Sequence, residues 1–249
     1  MTKDFQGLNA VVTGAGSGIG LAITKKLSAN GATVFGLDLN AGACEEFATW
    51  ISCDIGDDES VKTAFHEISK SVNVIDILIN NAGIGAQGTV ETATSEDWLK
   101  VLNINVVGTS RVSASALPYL RKSNHASIVN TCSIVANLGF PKRAIYSASK
   151  GAIQALTLAM ASDFLKENIR VNCVSPGTTD TPWIGRLLSN TQNPSQEREA
   201  LENRQPIGRL ISPEEVANAI LYLSHPDQKS TTGIALAVDG GLHSVYVPR

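Results

Sequence analysis

Thr13-Gly14-Ala15-Gly16-Ser17-Gly18-Ile19-Gly20 is the stretch that decides how this chain is read. The apolar run Leu8 to Val12 precedes it and predicts a buried strand. Ile19 to Leu27 follows with apolar residues at helical spacing. Strand, glycine turn and helix in that order leave bare backbone N–H groups at a helix N-terminus. Those groups and the helix dipole both favour a phosphate. Glycines let a pyrophosphate approach without interference from a Cβ and let the helix pack closely on its strand. The pattern is T-G-x-x-x-G-x-G, carried by Gly14, Gly18 and Gly20, rather than the usual G-x-G-x-x-G.

Short apolar runs alternate with helical patterns along nearly the whole chain. Strands are expected at Ala10–Thr13, Thr33–Leu37, Trp50–Cys53, Ile75–Ile79, Ser127–Cys132, Arg170–Val174 and Ala235–Val238. They are continuous rather than alternating, as parallel strands covered on both faces are. Helices are expected near 19–30, 58–71, 95–121, 146–167 and 213–224, starting at Ser95 with Asp97 and at Ser212-Pro213-Glu214-Glu215. This alternation predicts an α/β fold, a doubly wound parallel sheet, in a single domain over 1–249. Between Thr178 and Pro206 the rhythm breaks into a polar stretch, Ser189-Asn190-Thr191-Gln192-Asn193-Pro194-Ser195. An irregular segment after a strand's carboxyl end is placed to be a substrate lid, at about 178–206.

Composition narrows the function. With 43% apolar and 17% charged residues the chain reads as globular, and its net charge of −3, with no basic run, argues against nucleic acid. No apolar run is long enough to span a bilayer, and no N-terminal signal sequence is read, so no membrane partner is expected. Cys44, Cys53, Cys132 and Cys173 are widely spaced, which points to free thiols in a reducing, cytoplasmic compartment. His66, His125, His225 and His243 show no metal-ligand spacing, so no metal is expected.

Asp38 ends the second strand, 24 residues after Gly14. An acid there accepts hydrogen bonds from the adenosine ribose hydroxyls and would repel a 2′-phosphate. Leu39 follows it, and Ser17 occupies a turn position where a basic residue could pair with phosphate, so NAD is expected over NADP. Asp54, with Ile55 beside it, ends the third strand and is placed to meet the adenine.

Tyr146 and Lys150 lie four apart at the start of a helix, on one face. An unperturbed tyrosine holds its proton to about pH 10, and a neighbouring cation favours the phenolate. Such a phenol can exchange a proton with an alcohol or a carbonyl. Ser133 stands thirteen residues upstream, at a strand's carboxyl end, where its hydroxyl could donate to the substrate oxygen. Asn80-Asn81-Ala82-Gly83 closes the fourth strand. Asn105 falls within a long apolar helix, where a buried amide must be bonded.

On these residues the chain resembles the short-chain dehydrogenase/reductase family from end to end. The motifs are TGAGSGIG (13–20), NNAG (80–83), the Asn of NVVG (105–108), Ser133, YSASK (146–150), PGTTDTP (176–182) and VDGG (238–241), all in the family's order. The resemblance implies a Rossmann-type sheet of about seven strands and a homotetramer. It implies that Tyr146 is the acid/base, that Lys150 binds the nicotinamide ribose, that Ser133 polarises the carbonyl and that Asn105 holds a water in the proton relay. Gly14, Ser17, Gly18, Ile19, Gly20, Asn81, Ala82, Gly83, Pro176, Gly177, Thr179 and Thr181 would line the cofactor, with Thr181 near the carboxamide.

Three arginines bear on the substrate. Arg143 lies three residues before Tyr146, Arg186 lies in the expected lid with Trp183, and Arg204 lies where the lid rejoins the domain. Arginine suits a bidentate grip on a carboxylate. With PGTTDTP, these positions look like the family branch of 3-hydroxybutyrate-type and 2-keto-3-deoxy-sugar-acid dehydrogenases, Arg186 being slightly offset. The expected activity is NAD-dependent hydride transfer at the secondary alcohol or ketone of a small hydroxy acid or sugar acid. A neutral sugar, polyol or cyclic alcohol is the alternative substrate, and a non-catalytic NAD-binding regulatory protein is the alternative of another class.

Overall fold

The computed structural model describes residues 4–189 and 191–246; Asn190 of the expected polar stretch lies outside them. Seven strands form one parallel sheet in the order β3-β2-β1-β4-β5-β6-β7. They are β1 (Asn9–Thr13), β2 (Thr33–Asp38), β3 (Thr49–Ser52), β4 (Ile77–Asn80), β5 (Ser127–Thr131), β6 (Arg170–Pro176) and β7 (Ala235–Val238). Each expected strand is present, displaced by up to two residues at its ends. Alternate residues of one strand face opposite layers. Ala10 and Val12 pack with Ile23 and Leu27 of α1 (Gly18–Ala29) and with Val216 and Ile220 of α8 (Pro213–Ser224). Val11 between them faces the other core, with Phe65 of α2 (Asp58–Ser69) and Val112 of α4 (Gly108–Leu120). Burial on both faces is why the inner strands read as continuous apolar runs, while the edge strands β3 and β7 are only partly covered.

Two expectations are corrected. The helix expected at 95–121 is three pieces: α3 (Ser95–Leu102), a π-helical turn (Asn103–Val107) and α4. Asn103 and Asn105 bond out of the helix, to the Gly56 and Ile84 backbones, and local unwinding brings them there. α3 starts at Ser95 as expected, and Thr94 before it is the cap; its hydroxyl accepts from Asp97 N and the Asp97 side chain accepts from Thr94 N in return. The expected irregular segment at 178–206 is largely helical, with α6 (Pro182–Ser189) and α7 (Pro194–Asn203). Proline opens both, and the Asn193 side chain caps α7 by accepting from Gln196 N at 3.2 Å. Ile184, Leu188, Leu201 and Leu210 form a small core of their own beneath these helices.

The strand order reverses between β1 and β4. In such sheets the ligand crevice opens beyond the carboxyl ends at the reversal. A crevice of about 460 Å³ lies there. Tyr146 sits in the first turn of α5 (Ala144–Asp163), which begins at its rim.

Candidate active site

The glycine turn forms one wall. Gly14 has φ +65°, a left-handed conformation that favours glycine, and a Cβ there would meet Ala82 Cα at 3.0 Å. A Cβ on Gly20 would overlap the Gly14 carbonyl oxygen, so α1 packs on the turn only with glycine at that place. Thr13 fixes the turn to β4: its hydroxyl accepts from the N–H groups of Asn81 and Ala82, both at 3.0 Å. The Asn81 amide donates to the carbonyls of Thr13 at 3.1 Å and Gly14 at 3.3 Å. Asp38 closes the end of the crevice at β2, Oδ2 accepting from Gly16 N at 2.9 Å and Oδ1 from Asn40 N at 3.2 Å. Asp54 stands beside it, with Oδ1 accepting from Gly56 N at 2.8 Å. The cradle fits a dinucleotide: bare backbone N–H groups at the start of α1, no Cβ in the way, and a carboxylate where ribose hydroxyls would reach.

Lys150, only 6% exposed, is held by one strong bond, Nζ donating to the Thr131 carbonyl at 2.7 Å. Its ammonium stands 5.8 Å from the Tyr146 ring centre. Ser133 caps the turn after β5; its Oγ accepts from Val135 N at 3.4 Å, which leaves the hydroxyl proton for the crevice. Ser133, Tyr146 and Lys150 all line the crevice, with Ser17, Ile19, Ile55, Gly83, Pro176, Gly177, Thr179 and Thr181. Gly18 and Thr181 meet across it, a Cβ on Gly18 standing 3.3 Å from Thr181 Cγ2.

Gly20 and Asn105 stand behind the wall. The Asn105 amide is spent on structure: Oδ1 accepts from Ile84 N at 2.8 Å, and Nδ2 donates to Ile84 O at 2.9 Å and to Ser149 Oγ at 3.1 Å. Ser149 in turn donates to the Tyr146 carbonyl at 2.8 Å. Asn105 thereby ties the helix that carries Tyr146 to the loop after β4.

The opposite wall is made of side chains. Lys142, at φ +57°, turns the chain so that Arg143 enters the crevice. Arg143 donates to the Ala86 carbonyl at 3.1 Å and lies 5.8 Å from the Trp183 ring centre. Arg204 lies 4.9 Å from the Phe140 ring centre and donates to Thr178 Oγ1 at 2.9 Å. Desolvation, and then the neighbouring Arg143 charge, pushes the Arg204 guanidinium below its usual pKa, against a smaller opposing pull from the Glu197 carboxylate. Arg186 lines the same space. Among the described residues the other exposed or half-buried arginines are neutralised: Arg111 by Asp58, Arg121 by Glu167, Arg198 by Asp180 and Glu202, and Arg209 by Glu215. Among the described residues no carboxylate pairs with Arg143, Arg186 or Arg204. Sequence reasoning missed Phe140, Thr178, Leu187 and Leu201 in this wall. Leu187 and Leu201 sit on α6 and α7, whose proline starts were the available signal; Phe140 and Thr178 carried none. Among the same residues no group of three His, Cys, Asp or Glu could hold a metal.

The family model described as enoyl-(acyl carrier protein) reductase matches residues 14–243. The chain is 33% identical to 3-oxoacyl-[acyl-carrier-protein] reductase FabG of Thermotoga maritima, covering 96% of this chain and 98% of that one. It is 35% identical to cis-4-hydroxycyclohexanecarboxylate dehydrogenase of Sinomonas cyclohexanicum, covering 98% and 100%. Ligand-free aldohexose dehydrogenase of Thermoplasma acidophilum superposes with a TM-score of 0.92 at 30% identity, covering all of both chains. The chain belongs to the short-chain dehydrogenase/reductase family. It is an oxidoreductase of secondary alcohols and ketones that uses a nicotinamide cofactor.

Proposed function

We propose that this enzyme is an NAD-dependent dehydrogenase of a small hydroxy acid or sugar acid, of the 3-hydroxybutyrate or 2-keto-3-deoxy-sugar-acid kind. The observation that carries this is the set of arginines beside Tyr146 with no carboxylate in salt-bridge reach, Arg143 among them half-buried. Desolvating a guanidinium without a counter-ion costs stability, and an anionic substrate supplies that counter-ion. The flat faces of Phe140 and Trp183 hold Arg204 and Arg143 and leave the guanidinium edges to a carboxylate. The Sinomonas relative is named for a hydroxy acid, which favours the same class.

The residues divide the work. Tyr146 exchanges the proton at the substrate oxygen, and Ser133 donates a hydrogen bond to that oxygen. Lys150, fixed by Thr131, keeps its ammonium beside the phenol, and in this reading it binds the nicotinamide ribose. Asn105 acts through Ser149 to hold the helix of Tyr146 in place; a bound water in the relay would rest near it. A nicotinamide bound in the crevice supplies the hydride chemistry. Asp38 beside Leu39, with no basic residue facing it from the turn, supports NAD over NADP. Asp38→Ser with Leu39→Arg is expected to shift the NAD/NADP preference in kcat/KM by about a hundredfold; an unchanged ratio would remove the basis for NAD.

Steady-state kinetics of Arg143→Ala and Arg204→Ala test the anion. KM for the accepted acid is expected to rise about tenfold or more in each. An unchanged KM for every accepted acid would sink the proposal. The likeness to aldohexose dehydrogenase favours a second reading, a neutral sugar or polyol. Turnover of an aldonic acid against its parent sugar separates the two.

The same proposal makes α6 and α7 a substrate lid over residues 178–206, and the protein a homotetramer. Exposed Leu99, Val107 and Leu158 on the α3 to α5 side support the second point, and sedimentation of the holoenzyme tests it. Four buried free cysteines support a reducing, cytoplasmic setting; no helix of the described residues is long and apolar enough to cross a membrane.

A further inference from the structure

Gln205 is 1% exposed and does not line the crevice, yet its side-chain amide lies where three segments of the site meet. With its oxygen toward Thr178, Gln205 accepts from the Thr178 N–H at 2.8 Å and from its hydroxyl at 3.1 Å, while the amide nitrogen donates to the Asp239 carbonyl at 3.1 Å. The reverse orientation would set two donors against each other and two acceptors against each other, so the neighbours fix the amide. The Thr178 hydroxyl has one proton and gives it to Gln205. Its lone pairs are then open to Arg204, whose Nη2 donates to it at 2.9 Å. Beneath the same amide runs the Pro176-Gly177 turn, and a Cβ on Gly177 would stand 2.8 Å from Gln205. The Asp239 end is itself pinned, Oδ1 accepting from Gly241 N at 3.0 Å and Oδ2 sharing a 2.6 Å hydrogen bond with His243 Nδ1.

We propose that Gln205 is a positioning residue that locks Arg204 and the Gly177–Thr178 turn into one unit, so that the substrate's anion is gripped only in register with the nicotinamide end of the crevice. This rests on the assignment of Arg204 to an anionic substrate. The amide orients the hydroxyl, the hydroxyl orients the guanidinium, and the backbone bond to Thr178 holds the turn. Lining the crevice is not required for any of these effects.

The test is Gln205→Leu, which keeps the bulk and removes the hydrogen bonds. NADH affinity is read by fluorescence titration, and KM and kcat are read for an accepted acid and for its neutral isostere. We expect the NADH dissociation constant to rise about fivefold and KM for the acid about tenfold, with KM for the isostere moving less than about twofold. A merely structural role would move both KM values together. Thr178→Val, which keeps the backbone bond, should raise KM for the acid and spare NADH affinity; Thr178→Ser, which keeps the hydroxyl, should restore KM. Wild-type NADH affinity in Gln205→Leu together with equal effects on acid and isostere overturns the proposal. Should Gln205→Leu fail to fold, equal KM values for the acid in Thr178→Val and Thr178→Ser overturn it. A silent Arg204→Ala sinks the anion assignment and the Arg204 half of this proposal with it. A costly Arg204→Ala beside a silent Gln205→Leu sinks this proposal alone.

Discussion

One wall of the crevice, at Gly14, Gly18, Asn81 and Gly83, is backbone and small side chain; the facing wall, at Arg143, Trp183, Phe140 and Arg204, is long side chain. The first is shaped by what is missing, since a Cβ on Gly20 would overlap the Gly14 carbonyl oxygen. The second is shaped by what is present and by how it stacks, guanidinium over ring on both sides. A pyrophosphate common to a whole family suits a wall of fixed backbone donors. A substrate that varies suits side chains that can be exchanged without disturbing the sheet. Ser133, Tyr146 and Lys150 stand between the walls, at the carboxyl end of β5 and the start of α5.

Tyr146→Phe should give the largest effect, because it removes the proton from that junction and leaves both walls standing. We expect kcat to fall by about a thousandfold with NADH binding retained by titration. A loss of NADH binding as large as the loss of kcat would mean that the phenol belongs to the cofactor wall instead. Next comes Gly20→Ala. A Cβ there meets a carbonyl oxygen that cannot rotate away, so about 1–3 kcal/mol of overpacking strain is expected. Thermal unfolding should show a Tm lower by several degrees, and NADH should bind more weakly. A variant as stable as wild type would show that the backbone wall can yield. Arg204→Lys should do the opposite: the charge stays, the planar fork that stacks on Phe140 goes, and KM for an acid rises about tenfold with Tm unchanged. A fall in Tm would show that the stack on Phe140 supports the fold at the end of α7 and not only a substrate.

The same contrast governs what could be read before any coordinates. Gly14, Gly18, Asp38 and Asn81 are legible because backbone geometry demands a residue type at a spacing, and spacing survives in one dimension. The inner strands were legible from continuous apolar runs, since burial on both faces leaves no polar alternation, and the edge strands β3 and β7, only partly covered, from shorter apolar runs in the same rhythm. The π-helical turn was not, because the Asn105 amide reaches a loop more than twenty residues away and no local periodicity records that. The polar composition of 178–206 hid α6 and α7, although Pro182 and Asn193-Pro194 marked their starts. Gln205 was invisible because its partners, Thr178 and Asp239, meet only through the adjacent ends of β6 and β7.

The smallest effect tests where the side-chain wall is anchored. The chain leaves Arg204, turns at Gly208 and enters α8 through a capping box in which Ser212 and Glu215 bond reciprocally. Arg209 grips the same carboxylate with both Nη atoms at 2.8 Å. The Arg209 hydrogen bonds, then the Ser212 N–H, lower the Glu215 pKa from 4.5 to about 2. The folded state therefore binds a proton there less readily than the unfolded chain. Its contribution is complete above about pH 4.5 and is lost as the pH falls toward about 2. The pair is well exposed, so the effect is modest and screened by salt. Urea unfolding of wild type and Glu215→Gln across that interval should show the two stability curves converging at the acid end and separating above it. Parallel curves would mean that Arg209 and Glu215 do not anchor the segment that follows α7, and that the second wall depends on its stacks alone.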